Sequence, residues 1–117
     1  MAFGTLSGLA SGPVVQKVAD QIAPVVTEQL QKLPALGASK LRDDEFFQTY
    51  AVTPAWMAVE GSSSGLTRLY PPLEAKFGAL MRHLREELLV FEGESVALVE
   101  DLPDKVGPAI VAGLKQA

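Results

Sequence analysis

The sequence predicts an all-α fold, a compact array of about five helices with a long central helix over residues 72–92. Apolar residues recur at helical spacing over residues 13–33 and 72–92, as in helices with one buried face. Several prolines stand at positions where a helix could begin. Proline is tolerated there because an N–H group in the first helical turn has no intrahelical partner, so the N–H that proline lacks is not missed. We therefore expect an uncharged, glycine-rich segment over residues 1–12 and a single helical domain over residues 13–117.

The first predicted helix runs from Pro13 to Leu33, where apolar and polar residues alternate in pairs. This pattern places one broad apolar stripe on the helix, which we expect to pack on the central helix. Pro24 lies in the middle of the stretch and removes the hydrogen bond to the carbonyl of Asp20. The sequence therefore predicts either a kink at Pro24 or two short helices.

A linker over residues 36–40 precedes the next predicted helix, which Asp43 or Asp44 can cap. Thr53 and Pro54 then restart a short helix that closes at Gly61. The large side chains of these two helices are assigned to the core, and the alternative is that they line a small-molecule pocket. They are Phe46, Phe47, Tyr50, Val52, Trp56, Met57 and Val59.

The longest predicted helix carries a single seam of large apolar residues at spacings of three and four. These residues are Leu73, Phe77, Leu80, Leu84, Leu88 and Phe91. Over residues 72–92 the helix would be about 30 Å long, close to the diameter of a small domain. We expect it to pack inside the domain, and a dimerisation helix is the alternative.

The C-terminal region is ambiguous, because two short apolar runs, 88–91 and 96–99, flank the polar residues 92–95. Periodicity cannot separate a helical hairpin from a β-hairpin in runs this short. Continuation of the heptad spacing through HLREELL favours helices, and an α fold with a small C-terminal β-hairpin over residues 88–99 is the alternative. A last short helix is predicted to begin at Pro108.

Composition excludes several functional classes. The 117 residues contain 10 basic and 14 acidic side chains, so the formal net charge is −4 and nucleic acid is not expected as a partner. The absence of cysteine excludes disulfides and thiolate chemistry. No transmembrane run or secretory signal is recognisable, and we expect a cytoplasmic protein, with association at a membrane surface as the alternative.

No workable catalytic set is found, and we expect neither an enzyme nor a bound cofactor. Residues 61–65 match the G-x-S-x-G pattern of a nucleophile elbow, and Glu74 and His83 follow in the order used by hydrolases. Both of these residues fall on one predicted helix, about 13 Å apart along its axis, so they cannot hydrogen-bond. His83 is interpreted as a solvated residue between Arg82 and Arg85, and no metal site is predicted.

Two surfaces are candidates for binding. Small residues recur every four positions in the N-terminal segment with apolar residues between them, a pattern that permits close approach of another backbone. The predicted interface residues are Phe3, Gly4, Leu6, Gly8, Leu9 and Gly12. A window without basic residues between Arg85 and Lys105 predicts an acidic docking surface. Its residues are Glu92, Glu94, Glu100, Asp101 and Asp104.

These features favour a non-catalytic interaction or assembly subunit that forms a homo- or hetero-oligomer with other protein subunits. The alternative is a peripheral membrane or lipid-binding protein, which would use the uncharged N-terminal segment and the kinked amphipathic helix.

Overall fold

The computed structural model describes residues 12–62 and 65–116, which are mostly helical. A two-stranded antiparallel hairpin lies near the C-terminus, so the predicted all-α class is confirmed in the form with a C-terminal hairpin. The helices are α1 (Gly12–Lys32), α2 (Ala38–Arg42), α3 (Asp44–Phe47), α4 (Thr53–Ser62), α5 (Leu66–Leu69), α6 (Leu73–Leu88) and α7 (Leu102–Gln116). A 3-10 turn, Leu33–Leu36, follows α1, and a π-helical segment, Gln48–Val52, joins α3 to α4.

Helix α1 is continuous through Pro24, so the prediction of two short helices is wrong. One missing hydrogen bond does not end the helix, because its apolar stripe is buried along the whole length. The buried residues of α1 are Val15, Val18, Ala19, Ile22, Val26 and Leu30. Helix α1 packs mainly against α7 and α4, so the expectation that it packs on the predicted central helix, residues 72–92, is wrong.

The predicted cap at Asp43 is confirmed, since its Oδ1 accepts a hydrogen bond from the Phe46 N–H at 2.9 Å. The assignment of every large side chain here to the core is only partly right. Phe47 is buried, whereas 56% of Tyr50 and 64% of Met57 are exposed. The helical chain turns both of these side chains away from the core.

Helix α6 is the predicted central helix, and its seam residues Leu73, Phe77, Leu80, Leu84 and Leu88 are all buried. It ends at Leu88 rather than at residue 92, because Leu89 adopts an extended conformation with φ −110° and ψ 139°.

The C-terminal runs form a β-hairpin, and the favoured helical interpretation of residues 88–99 is wrong. Strand β1 (Leu89–Glu92) pairs antiparallel with β2 (Ser95–Leu98), with Leu89 opposite Leu98 and Glu92 opposite Ser95. Gly93 has φ +60°, which suits the first position of a two-residue hairpin turn. This turn accounts for the hairpin where apolar periodicity was ambiguous.

Helix α7 begins at Leu102, six residues before the predicted start at Pro108. Pro103 occupies the first turn, where its missing N–H has no cost, and Pro108 is accommodated inside the helix. Four residues at regular spacing, Leu102, Val106, Ile110 and Leu114, are buried. Helix α7 packs against both α1 and α6, and the core lies between these three helices.

Candidate functional site

An apolar groove lies between the end of α1 and the π segment. We call it the apolar groove; its volume is about 270 Å³. Its lining residues come from α1, the 3-10 turn, the π segment, α4 and α6. They are Gln29, Lys32, Leu33, Leu36, Tyr50, Ala51, Pro54 and Met81.

The π segment determines how Tyr50 borders this groove. Pro54 has no N–H to donate to the carbonyl four residues earlier, so an ordinary α-helical turn would lose a bond here. The segment before Pro54 forms π-type bonds, in which the N–H of Thr53 donates to the carbonyl of Gln48, five residues back. Segments of this kind occur frequently at functional sites.

Tyr50 is supported from one side by other aromatic and cationic groups. Its ring stacks on Phe46 with 4.4 Å between centroids and an angle of 28°. The Nζ of Lys40 lies 5.4 Å from the centroid of the Phe46 ring, within cation–π range. The Tyr50 ring is therefore held in place while more than half of its surface faces solvent.

Arg85 fixes the helices behind this aromatic pair. Its Nη1 donates to the carbonyl of Leu41 at 3.0 Å and lies 3.4 Å from Oδ1 of Asp44. Its guanidinium carbon lies 4.6 Å from the centroid of the Phe47 ring. These contacts join α6 to α2 and α3.

Most of the side chains that line the apolar groove are apolar. Lys32 is the only formally charged residue among its lining residues, which include neither a carboxylate nor a histidine. A volume of about 270 Å³ accommodates a few apolar side chains and lies below the usual range for small-molecule pockets. The groove therefore offers an apolar surface with polar groups, Gln29, Lys32 and the Tyr50 hydroxyl, at its rim.

A second, smaller cavity of about 220 Å³ lies beside Trp56. The Trp56 and Phe77 rings pack with centroids 5.1 Å apart, and Glu74 is the only carboxylate lining the cavity. A single exposed carboxylate beside an indole ring gives no acid–base pair.

The predicted N-terminal interface falls mostly outside the described residues. Phe3, Gly4, Leu6, Gly8 and Leu9 lie there, and Gly12 is the first residue of α1. A Cβ atom at Gly12 would meet nothing within 4 Å.

The predicted acidic surface is spread over two parts of the fold. Glu92 ends β1 and Glu94 follows in the hairpin turn, whereas Glu100 and Asp101 precede α7 and Asp104 lies in its first turn. All five residues are exposed.

One member of the acidic surface has a structural role that sequence reasoning missed. The Glu94 carboxylate accepts hydrogen bonds from the Ser39 N–H at 3.1 Å and from its hydroxyl at 3.0 Å. The Glu94 carbonyl also accepts from the Ala38 N–H at 3.1 Å. Glu94 thus caps α2 and holds the hairpin turn against this helix. Ser39 and Glu94 are 55 residues apart in the sequence.

The interpretation of His83 as a solvated residue is wrong. His83 is half-buried, and its Nε2 atom is buried without a hydrogen-bond partner. The side chain turns toward α7, where Gly113 leaves room for it. Within the described part of the chain, no three His, Asp or Glu side chains form a group that could hold a metal ion.

Of residues 61–65, which match the G-x-S-x-G pattern, Ser63 and Ser64 fall outside the described residues. Glu74 and His83 both lie on α6, as predicted.

No helix of residues 12–62 and 65–116 is both long enough and apolar enough to cross a bilayer. Comparisons of the chain with protein-family models, with curated proteins and with solved structures find no match.

Proposed function

We propose that this chain is a non-catalytic assembly subunit that binds a second copy of itself. In this proposal, the apolar N-terminal segment of one copy, residues 1–11, lies in the apolar groove of another copy. The observation that carries the proposal is the groove itself, an uncharged cleft except for Lys32, bordered by the exposed ring of Tyr50. Exposed aromatic residues beside apolar clefts are typical of protein interfaces.

The composition of the N-terminal segment matches this surface. Residues 1–11 carry no charged side chain, and they present Phe3, Leu6 and Leu9 at regular spacing. Each such side chain contributes about 1.5–3 kcal/mol when fully removed from water. Glycines between them allow the segment to approach a partner surface closely.

Chain geometry favours binding between copies over binding within one copy. The groove begins at Gln29, which lies about 26 Å along α1 from Gly12. Leu6 is six residues before Gly12 and reaches at most about 20 Å, and Leu9 reaches about half of that distance. Only Phe3 could reach the groove of its own copy, whereas all three side chains can reach the groove of a second copy.

The proposal is tested by light scattering coupled to size exclusion, over a range of protein concentrations. The full chain is compared with a version lacking residues 1–11 and with Tyr50→Asp, which places a charge at the edge of the groove. Val90→Asp is the matched control, because Val90 is 45% exposed and lies outside the groove on β1. We expect an oligomer for the full chain and for the control, and monomers for the truncation and for Tyr50→Asp.

Two results would overturn the proposal. A full chain that stays monomeric at all concentrations excludes self-assembly, and an oligomer that survives Tyr50→Asp excludes the groove as its interface. In the first case, flotation with phosphatidylcholine vesicles, with and without phosphatidylserine, distinguishes the lipid-binding alternative. Flotation of the full chain but not of the truncated version would assign the N-terminal segment to membranes instead.

A further inference from the structure

The sheet of the described residues contains only β1 and β2, so β1 has a neighbouring strand on one side only. On its other side β2 lies beside the 3-10 turn, Leu33–Leu36. We call the main-chain groups of β1 that point away from β2 the β1 edge. Strand edges of this kind are the places where a further strand can pair with a sheet.

The pairing register shows which groups form the β1 edge. The Val99 N–H donates to the Leu88 carbonyl at 3.1 Å, which makes these two residues a hydrogen-bonded pair. Hydrogen-bonded and non-hydrogen-bonded pairs alternate along an antiparallel ladder. Every second residue after Leu88 is therefore bonded to β2, and the main-chain groups of Leu89 and Phe91 point away from it.

Three main-chain groups of the β1 edge have no partner within residues 12–62 and 65–116. They are the carbonyl of Leu89 and both the N–H and the carbonyl of Phe91. The fourth group, the Leu89 N–H, donates to the carbonyl of Arg85 at the end of α6. An added strand can bond to the first three groups, as in complexes where a peptide extends a sheet.

The side chains of β1 differ between its two faces. Phe91 packs toward the core, and the guanidinium carbon of Arg42 lies 4.7 Å from the centroid of its ring. Val90 and Glu92 lie on the opposite, outer face, because side chains alternate along a strand. Val90 is 45% exposed, and the exposed Glu92 forms no ion pair with any described residue. The outer face thus combines an apolar side chain with a carboxylate.

Charge around the β1 edge favours a basic partner. From residue 86 to residue 104 the sequence contains seven acidic residues and no lysine or arginine. Two copies of this edge would bring like charges together, whereas a basic segment is attracted to it. The Arg42 guanidinium lies against the core-facing side, so a basic side chain of the partner belongs on the outer face, beside Glu92.

We propose that the β1 edge binds an extended segment of a basic partner protein as a third, antiparallel strand. One partner residue exchanges two hydrogen bonds with Phe91, and the residue two positions after it donates its N–H to the Leu89 carbonyl. The residue before it is lysine or arginine and faces Glu92, and the residue after it is apolar and faces Val90. These are non-hydrogen-bonded positions of the new ladder, where facing side chains approach most closely.

The recognised sequence is therefore a basic residue, any residue except proline and an apolar residue, in this order. Proline is excluded from the middle position because it has no N–H to donate to the Phe91 carbonyl. The inference does not rest on self-assembly, since no residue of β1 lines the apolar groove.

The test uses the full chain, labelled with nitrogen-15, and the capped pentapeptide Thr-Lys-Thr-Val-Thr. One control peptide carries an N-methyl group on its middle threonine, which removes the donor to Phe91. A second control has glutamate in place of lysine. We expect saturable amide shifts at Val90, Phe91 and Glu92 with the lysine peptide, none with the N-methylated peptide, and at least threefold weaker binding of the glutamate peptide.

Hydrogen exchange tests the β1 edge without any peptide. The Phe91 N–H should exchange at least about tenfold faster than the Val90 N–H, which pairs with Ala97 in the hairpin. Saturating lysine peptide should slow the exchange of the Phe91 N–H and leave that of Val90 nearly unchanged.

A charge reversal tests the side-chain match. Glu92→Lys should weaken binding of the lysine peptide at least fivefold and strengthen binding of the glutamate peptide. Glu60→Lys is the matched control, because it makes the same charge change at an exposed position on α4 and should alter both affinities less than twofold. Circular dichroism of each variant checks that the fold is retained.

Several outcomes would overturn the proposal. They are equal shifts with the N-methylated peptide, no shifts with any peptide, and unchanged affinities in Glu92→Lys. Slow exchange of the Phe91 N–H in the full chain alone would also overturn it, because the edge would then already be covered. If dilution restores fast exchange, a second copy of the chain covers the edge instead of a basic partner.

Discussion

Helix α7 packs against both α1 and α6, and two of its glycines differ in the space around them. A Cβ atom at Gly113 would lie 2.7 Å from Cδ1 of Leu80 and 2.9 Å from Cδ2 of His83. A Cβ atom at Gly107 would meet nothing within 4 Å. Gly113 therefore allows α7 and α6 to pack at short range. At position 107 close packing does not require a glycine.

Glycines in one helix can therefore have different structural roles. Both residues lie in the same helix, and neither has a positive φ that would require glycine. What distinguishes them is the neighbouring helix, which sequence position alone does not identify. Close packing therefore accounts for glycine at position 113 and not at position 107.

The largest expected effect comes from removing the side chain against which Gly113 packs. Leu80→Ala should lower the free energy of unfolding by about 2–5 kcal/mol, because Leu80 is fully buried and its loss leaves a cavity. Urea denaturation followed by circular dichroism measures the change. A loss below about 1 kcal/mol would show that α7 moves inward to fill the space.

Gly113→Ala should lower the free energy of unfolding by up to about 2 kcal/mol net, because overpacking of the added methyl group against Leu80 and His83 costs about 1–3 kcal/mol. The higher helix propensity of alanine, about 1 kcal/mol, offsets part of this cost. The double variant with Leu80→Ala sharpens the comparison. Its cost should be less than the sum of the two single costs, since the shorter side chain makes room for the methyl group.

His83→Leu should raise the free energy of unfolding by about 1 kcal/mol. The substitution removes a buried nitrogen atom that has no hydrogen-bond partner and keeps an apolar side chain against Gly113. Thermal or urea denaturation near neutral pH measures the change. An unchanged or lower stability would mean that Nε2 gains a partner in solution, such as a bound water.

Gly107→Ala should raise the free energy of unfolding by about 0.5–1 kcal/mol, the smallest effect of the four. Alanine restricts the unfolded chain and favours the helix, and apart from the chain neighbours of Gly107, which include Pro108, no atom lies within 4 Å of the added methyl group. The opposite signs expected for Gly107→Ala and Gly113→Ala make each variant the control for the other. Equal signs would contradict the difference in local packing between the two positions.

The sequence predicted the features that depend on local chemistry. The spacing of apolar residues predicted the buried faces of α1 and α6, and Asp43 was predicted as a cap from its residue type. The apolar groove was not predicted, because its lining residues come from distant parts of the chain, from Gln29 to Met81.

Contacts between distant segments account for the remaining differences. Glu94 was predicted only as part of a docking surface, and its carboxylate also caps α2, because the hairpin turn places it beside Ser39. His83 was expected to be solvated, since Arg82 and Arg85 flank it in sequence, but the missing side chain of Gly113 admits its ring. Glu94 and Ser39 are far apart in the sequence, as are His83 and Gly113. Local periodicity therefore could not predict these contacts.

The π segment also bears on how related chains could differ in length. From Phe47 to Val59 the buried positions are Phe47, Ala51, Val52, Ala55 and Val59, so a spacing of four continues through Ala51, and Val52 is buried beside it. A residue inserted into Gln48–Val52, or removed from it, would shift the buried side chains on one side of the change relative to those on the other. We therefore expect the length of this segment to be constrained in related chains.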